Sequence, residues 1–229
     1  MNKLARIAYI VFPVLLLSLL IDITSSSLHA QGVLCPGNIM VNSSFEAPII
    51  PNNNWGHPDE TLVPGWETDD PTGDIEIWNS PFLGVQSVLG DQHAELNYIN
   101  NTALYQDLPT TPGIIVTWQL GHRGRSGIDT MSLRFGPPGA TVEIAQFSTG
   151  LAWRIYNGTY TIPAGQTITR FEFRAINTAS GNPSVGNLLD SMAFGILCDH
   201  GDAPVSYPDA AHRINSTYFF NTFAKIESS

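Results

Sequence analysis

From about residue 74 to residue 196 apolar side chains recur at every second position in short runs, and this period of two constrains the fold more than any other feature of the chain. Candidate strands are Asp74–Trp78, His93–Asn97, Ala103–Leu108, Ile114–His122, Thr130–Phe135, Thr141–Ser148, Arg154–Ile162, Thr169–Ile176 and Leu188–Ile196. Val, Ile, Phe, Tyr, Trp and Thr dominate them, and Gly, Pro, Asn and Asp clusters such as Pro112-Gly113, Gly124-Arg125-Ser126-Gly127, Gly136-Pro137-Pro138-Gly139 and Pro163-Ala164-Gly165 break the runs as turns. Many short alternating strands without helical periodicity predict an all-β sandwich. The alternation also assigns faces. Ile75 and Ile77 oppose Glu76 and Trp78, and Ala94 and Leu96 oppose His93, Glu95 and Asn97. Val116, Trp118, Leu120 and His122 oppose Thr117, Gln119, Gly121 and Arg123, while Phe171, Phe173 and Ala175 oppose Arg170, Glu172 and Arg174. Each strand is thus expected to give one side to a core and to keep the other wet.

The first thirty residues have a different character. Lys3 and Arg6 precede the apolar run Ile7–Ile21, and Ser27-Leu28-His29-Ala30 follows as a small-residue cleavage site. That order predicts a removable export signal and a secreted or cell-surface protein. The apolar run is shorter than the roughly 18–20 residues of a spanning helix, so no stable membrane span is expected after its removal. Loss of Lys3, Arg6 and Asp22 takes the formal charge from −10 to −11. Phosphates repel such a chain, which argues against nucleic acid or an anionic membrane as partner. The two cysteines, Cys35 and Cys198, flank the patterned region. In an exported chain they read as a disulfide worth about 4–5 kcal/mol by loop entropy, against the alternative of two free buried thiols. Asp199–Pro204 reads as a linker, leaving 199–229 as a tail or the truncated start of a further domain.

Asn42–Pro48 (NSSFEAP) with Val63–Trp66 (VPGW), followed in order by IEIW, GDQHAELN, LYQDLPTTPG, GHRGRSGIDTMSLRFG, NGTYTIPAGQTITRFEF and GNLLDSMAF, resembles the galactose-binding-like jelly-roll modules of bacterial secreted surface proteins. The resemblance spans about Cys35 to Cys198 and implies a jelly-roll β-sandwich of the carbohydrate-binding-module kind over 31–198. The segment GDAPVSYPDAAHRI (201–214) is similar to the opening of an adhesin-associated domain. The resemblance also implies a structural Ca2+ where first and last strands meet, held by Glu46 and Asp190, with Asp91 as the loop acid that completes the carboxylates. The alternative is that Glu46 and Asp190 cap turns or pair with arginines. Many relatives carry two acids in the last strand, whereas Ser191 follows Asp190 here.

No nucleophile elbow, zinc-ligand spacing or phosphate loop is present in the sequence. His57, His93, His122, His200 and His212 share no motif. The expected function is therefore non-catalytic recognition of a polysaccharide or other glycan on the concave sheet face. Sugars are read by aromatic rings against C–H faces and by planar polar groups. The polar faces nominate Glu76, Trp78, Glu95, Asn97, Gln119 and Arg123, with Tyr105, Trp55, Trp66 and Tyr98 as a rim, although Trp66 suits a core better. Arg123 has a structural alternative as partner of Asp129 or Glu95. Two rivals remain: a spacer that engages partners in an adhesive surface assembly, and a small glycan hydrolase using Glu76 and Glu95.

Overall fold

The structure is a computed structural model that describes residues 37–196, 198–200 and 211–213. The expected export segment (1–30), Cys35 and the Cys198 side chain lie outside the described residues, as does most of 199–229. Among the described residues no helix is long and apolar enough to cross a membrane.

All regular structure is strand apart from two short 3-10 turns. In chain order the strands are β1 (Gly37–Asn38), β2 (Trp55–Gly56), β3 (Glu67–Thr68), β4 (Glu76–Asn79), β5 (Gln92–Glu95), β6 (Ala103–Pro109) and β7 (Ile115–Arg123). They continue with β8 (Asp129–Gly136), β9 (Val142–Thr149), β10 (Arg154–Thr161), β11 (Ile168–Asn177), β12 (Leu188–Ile196), β13 (Cys198–His200) and β14 (Ala211–Arg213). One sheet runs β10-β7-β12-β5-β4-β2, with β1 on the same edge of β12 as β5, and the second runs β3-β6-β11-β8-β9. Every pairing is antiparallel, including a separate pair of β13 with β14. From β5 onward the chain crosses repeatedly from one sheet to the other, giving the jelly-roll sandwich.

The period-two pattern places the core. Ile75, Ile77, Ala94, Leu96, Val116, Trp118 and Leu120 face inward from the first sheet and meet Leu104, Leu108, Met131, Leu133, Phe171 and Phe173 of the second. Aromatic edges and faces lock the layers together: Phe194 of β12 lies 5.1 Å from Phe171 and 5.6 Å from Phe135 of the facing sheet. Trp66, expected in the core, is buried and stacks on Phe45 at 4.6 Å. Trp118 lies over Gly158, its neighbour on β10, where a Cβ would come within 2.6 Å of the indole. His122, at the inward end of β7, hydrogen-bonds Thr149 at 2.8 Å and the Asn187 side-chain oxygen at 3.0 Å. A buried ring of this kind needs partners for both nitrogens, and it has them.

β12 breaks its ladder with β7 between Asp190 and Ala193. Ser191 takes a left-handed φ of 55° there, a bulge that sharpens local twist and re-aims Asp190.

Truncating Phe135, the ring on which this aromatic cluster converges, is expected to cost about 3–5 kcal/mol. Urea denaturation of Phe135→Ala checks it.

Candidate functional site

Glu76 and Trp78 leave β4 on the face opposite to Ile75 and Ile77, as the alternation requires, but they are not wet. Trp78 is 0 % exposed and Glu95 1 %. Residues 80–91 join β4 to β5 and fold back over this outer face. Phe82 meets the Trp78 ring edge-on at 4.9 Å, and Val85, Leu188 and Trp153 complete a second apolar cluster there. The expected solvent-facing Trp78 is therefore corrected: it anchors a loop.

Four sets of hydrogen bonds hold that loop. Asp190 Oδ2 accepts from the main-chain N–H groups of Val88 at 2.6 Å and Leu89 at 3.0 Å, while its Oδ1 accepts from Ser191 at 2.6 Å. Glu46 Oε1 accepts from Asp91 at 3.0 Å and Gln92 at 2.9 Å. Ser80 Oγ accepts from the Ser87 N–H, and the Ser87 hydroxyl meets His93 Nδ1 at 2.9 Å. Trp153 Nε1 donates to the Gln86 carbonyl at 2.7 Å. Gly90, at φ 68°, sits against the Glu46 carboxylate where any side chain would collide.

These contacts bear on the cation site that the resemblance implies. The sequence placed Ca2+ among Glu46, Asp91 and Asp190. Asp91 is exposed and joins by its main chain only, and no group of three His, Cys, Asp or Glu among the described residues is placed to hold a metal ion. Calcium takes six to eight hard oxygens. Here the lone pairs of Asp190 Oδ2 and Glu46 Oε1 are already taken by N–H donors, which leaves Glu46 Oε2 and one side of Asp190 Oδ1. The donor set does not fit a calcium ion. It fits two carboxylates that cap a loop, the alternative reading of Glu46 and Asp190. Burial pushes the Asp190 carboxyl up to about 7 despite those donors.

Glu76 and Glu95 stand directly opposite each other on β4 and β5. Burial raises both carboxyls, Glu95 well above its usual range, and the Glu76 charge raises Glu95 further. Like charges this close do not ionise independently. Arg125, not Arg123, supplies the counter-charge. Its Nη1 lies 3.0 Å from each Glu95 oxygen, and its guanidinium sits 4.8 Å from the Trp78 ring centre. Trp78 Nε1 donates to Glu76 at 2.6 Å, and the Gly186 N–H donates to Glu95 at 2.7 Å. The signal for Arg125 was its place in the Gly124–Gly127 turn, which lets a loop residue reach across to β5.

The other nominated residues scatter. Arg123 Nε donates to the Leu151 carbonyl at 2.6 Å, and its Nη1 is buried without a partner, as is His93 Nε2 on the same face. Asp129, the other suggested partner of Arg123, instead accepts from the main chain at Arg125 and Ala179. Asn97 is buried between Asn101, Pro183 and Asn187 and serves the fold. Gln119 donates to Ser191 at the bulge. Tyr105 is on β6, in the second sheet, with Arg170 over its ring at 3.6 Å; it cannot share a surface with Trp78.

Two residues named only as rim carry the exposed aromatic surface. Trp55 pairs with Trp78 across β2 and β4 and is 41 % exposed. His57 lies 5.7 Å from Trp55 and stacks on Tyr98 at 4.9 Å. His57 Nδ1 meets Asp74 Oδ2 at 3.0 Å. The three rings form a column along the β2 edge, beside the Glu76–Glu95–Arg125 group.

No protein-family model matches the chain, and no curated protein matches it. Solved structures resemble it in fold. The carbohydrate-binding module TmCBM61, solved with β-1,4-galactotriose, is 12% identical, with 69% of this chain and 97% of that one covered at a TM-score of 0.47. An apo cyclase from Fischerella sp. is 17% identical, with coverage of 69% and 95% and a TM-score of 0.48. The C-terminal family 22 carbohydrate-binding module of Clostridium thermocellum Xyn10B is 17% identical, with coverage of 64% and 95% and a TM-score of 0.42. At these identities the likeness is one of architecture.

Three outcomes are expected. Trp78→Ala costs about 3–5 kcal/mol of stability, read by denaturant melts, because it empties a sealed site. A chelator leaves the melting temperature unchanged; a fall of several degrees would mean that a cation displaces main-chain donors. Burial holds His93 near 3 and His122 near 4, against 6.5 for a free ring. The unfolded chain therefore binds these protons more readily, so the stability the two rings confer is complete above pH 6.5 and is lost as pH falls toward 4 and 3. Imidazole carbon shifts of both, followed by NMR from about pH 8 to 5, are expected to stay flat.

Proposed function

We propose that this domain is a non-catalytic glycan-binding module, acting outside the cell, and that the β2 edge of its seven-stranded sheet is the binding surface. The observation that carries the reading is the column of the exposed Trp55 and His57 with the half-buried Tyr98, beside a buried polar group. Flat rings offer apolar faces to the C–H side of a sugar, and fixed polar groups alongside select its hydroxyls. Rigidity favours recognition, because little side-chain entropy is lost on binding. Tyr98 contributes its ring, and Trp55 contributes the widest exposed aromatic face on that edge.

The acid pair invites a hydrolase reading, and its geometry opposes one. Glycosidase carboxyls stand roughly 5–9.5 Å apart so that the scissile bond and a water fit between them. Glu76 and Glu95 face each other directly across adjacent strands and are both buried; Arg125 meets both Glu95 oxygens, and Trp78 donates to Glu76. They are read here as a structural support for the aromatic edge.

Affinity electrophoresis against a panel of neutral polysaccharides tests the proposal. Trp55→Ala is expected to weaken the interaction by about tenfold or more while leaving the melt within a degree or so of the parent. Parent protein that no glycan retards would favour the spacer role instead.

A further inference from the structure

Among the described residues the two sheets end in β2, β10, β3 and β9, and only one of these edges is left undefended. β2 and β3 are two residues long. β9 is broken by a bulge at Ile144, because Leu133 pairs with Ala145 while Arg134 pairs with Glu143. Short and bulged edge strands discourage pairing with other chains. β10 has neither device. It pairs with β7 without a break from Arg154 to Thr161, and it holds no proline, lysine or acid.

The neighbouring ladders show which main-chain groups β10 presents. Phe194 of β12 turns its N–H to Asn38 and its carbonyl to Ile39, away from β7, so its partner Trp118 spends its own groups on Gly158 of β10. Ile162, just past the end of β10, likewise donates its N–H to the Ile114 carbonyl. Bonded and unbonded positions alternate along an antiparallel pair. Tyr156, Gly158 and Tyr160 are therefore bonded to β7, while Ile155, Asn157, Thr159 and Thr161, all exposed, direct their N–H and C=O groups outward.

We infer that this edge pairs, antiparallel, with β10 of a second copy of the chain about a two-fold axis at Gly158. That register sets Ile155 against the partner's Thr161 and Asn157 against the partner's Thr159, so every outward group finds its complement. An axis at Asn157 would set Thr161 against Trp153, before the strand begins, and one at Thr159 would set Ile155 against Pro163, which has no N–H. About Gly158, Tyr156 meets the partner's Tyr160 at the close, non-hydrogen-bonded spacing that suits cross-strand rings. On the outer face the exposed Ile155 stands in one row with the partner's Thr161 and the partner's exposed Ile115. Self-pairing is also where this chain, at a net charge of −10, can approach itself: the one charge on β10 is Arg154, at its end. The dimer rests on the strand edges and not on the glycan reading. Its topology sets the two β2 edges at opposite ends of one continuous sheet.

Sedimentation velocity of the full chain over a wide range of concentration tests the inference, with amide exchange as the local readout. The parent is expected to pass from monomer to dimer as concentration rises. The amides of Ile155, Asn157, Thr159 and Thr161 are expected to exchange about tenfold or more slowly in the dimer than in the dilute monomer, whereas those of Tyr156, Gly158 and Tyr160 stay slow in both. Thr159→Pro removes one outward N–H and spares the bonds to β7. The double variant Asn157→Lys with Thr159→Lys sets lysine against lysine across the axis and reads the same contact with the backbone unchanged. Each is expected to weaken the dimer by about tenfold or more while the monomer melts as the parent monomer does. A parent that stays monomeric at every concentration, a dimer that survives both variants, or outward amides whose exchange does not change with concentration each overturns the inference.

Discussion

Two carboxylates, the buried Asp190 and the half-buried Glu46, hold residues 80–91 against the seven-stranded sheet, and the character of the outer face depends on them. Asp190 meets two main-chain N–H groups of that segment and a third from Ser191; Glu46 meets the N–H of Asp91 at its end and that of Gln92, the first residue of β5. Such charge-assisted bonds are stronger than neutral ones, and they satisfy a loop backbone that would otherwise be left without partners under Phe82 and Trp153. With the loop in place the sheet is buried on both sides over β4 and β5. The β2 edge, beyond this cover, stays open, and the Trp55–His57–Tyr98 rings gather there.

The same enclosure shapes the electrostatics. Glu76 and Glu95 would be ordinary surface acids on a bare sheet. Under cover they need Arg125, Trp78 and Gly186 as partners, and the arginine sits over the indole of Trp78. Removing one member of such a group leaves the others charged and unpaired, which costs more than the pair itself contributes. The arrangement therefore fixes the sheet edge more rigidly than its short strands would alone.

Much of this architecture was legible before any coordinates. Nine expected strands from Asp74–Trp78 to Leu188–Ile196 correspond to β4–β12 with ends shifted by a few residues. The inward set Ile75, Ile77, Trp118, Phe171 and Phe173 follows from alternation alone. Alternation tells which way a side chain leaves a strand; it says nothing about what comes to cover it, and so Trp78 and Glu95 were placed in water. A cue existed in the loop itself, where Phe82, Leu83, Val85, Val88 and Leu89 are too apolar for an idle connection. Tyr105 was misplaced for a different reason: strand order depends on long-range pairing, which short-range periodicity does not encode. The two-residue strands β1, β2 and β3 are too short for any pattern. Trp55 and Tyr98 sit at or beyond strand ends, where a repeat of two no longer assigns a face.

The pairing of β1 with β12 sets Gly37 opposite Ile196 and Asn38 opposite Gly195, so the polypeptide enters and leaves the sandwich at one point. Tension transmitted along the flanking polypeptide would pull those two strands apart end-on and open their bonds one after another, as a zip does, instead of shearing them together. Under load the first event would be the peeling of β1 at low force, with the aromatic core still intact.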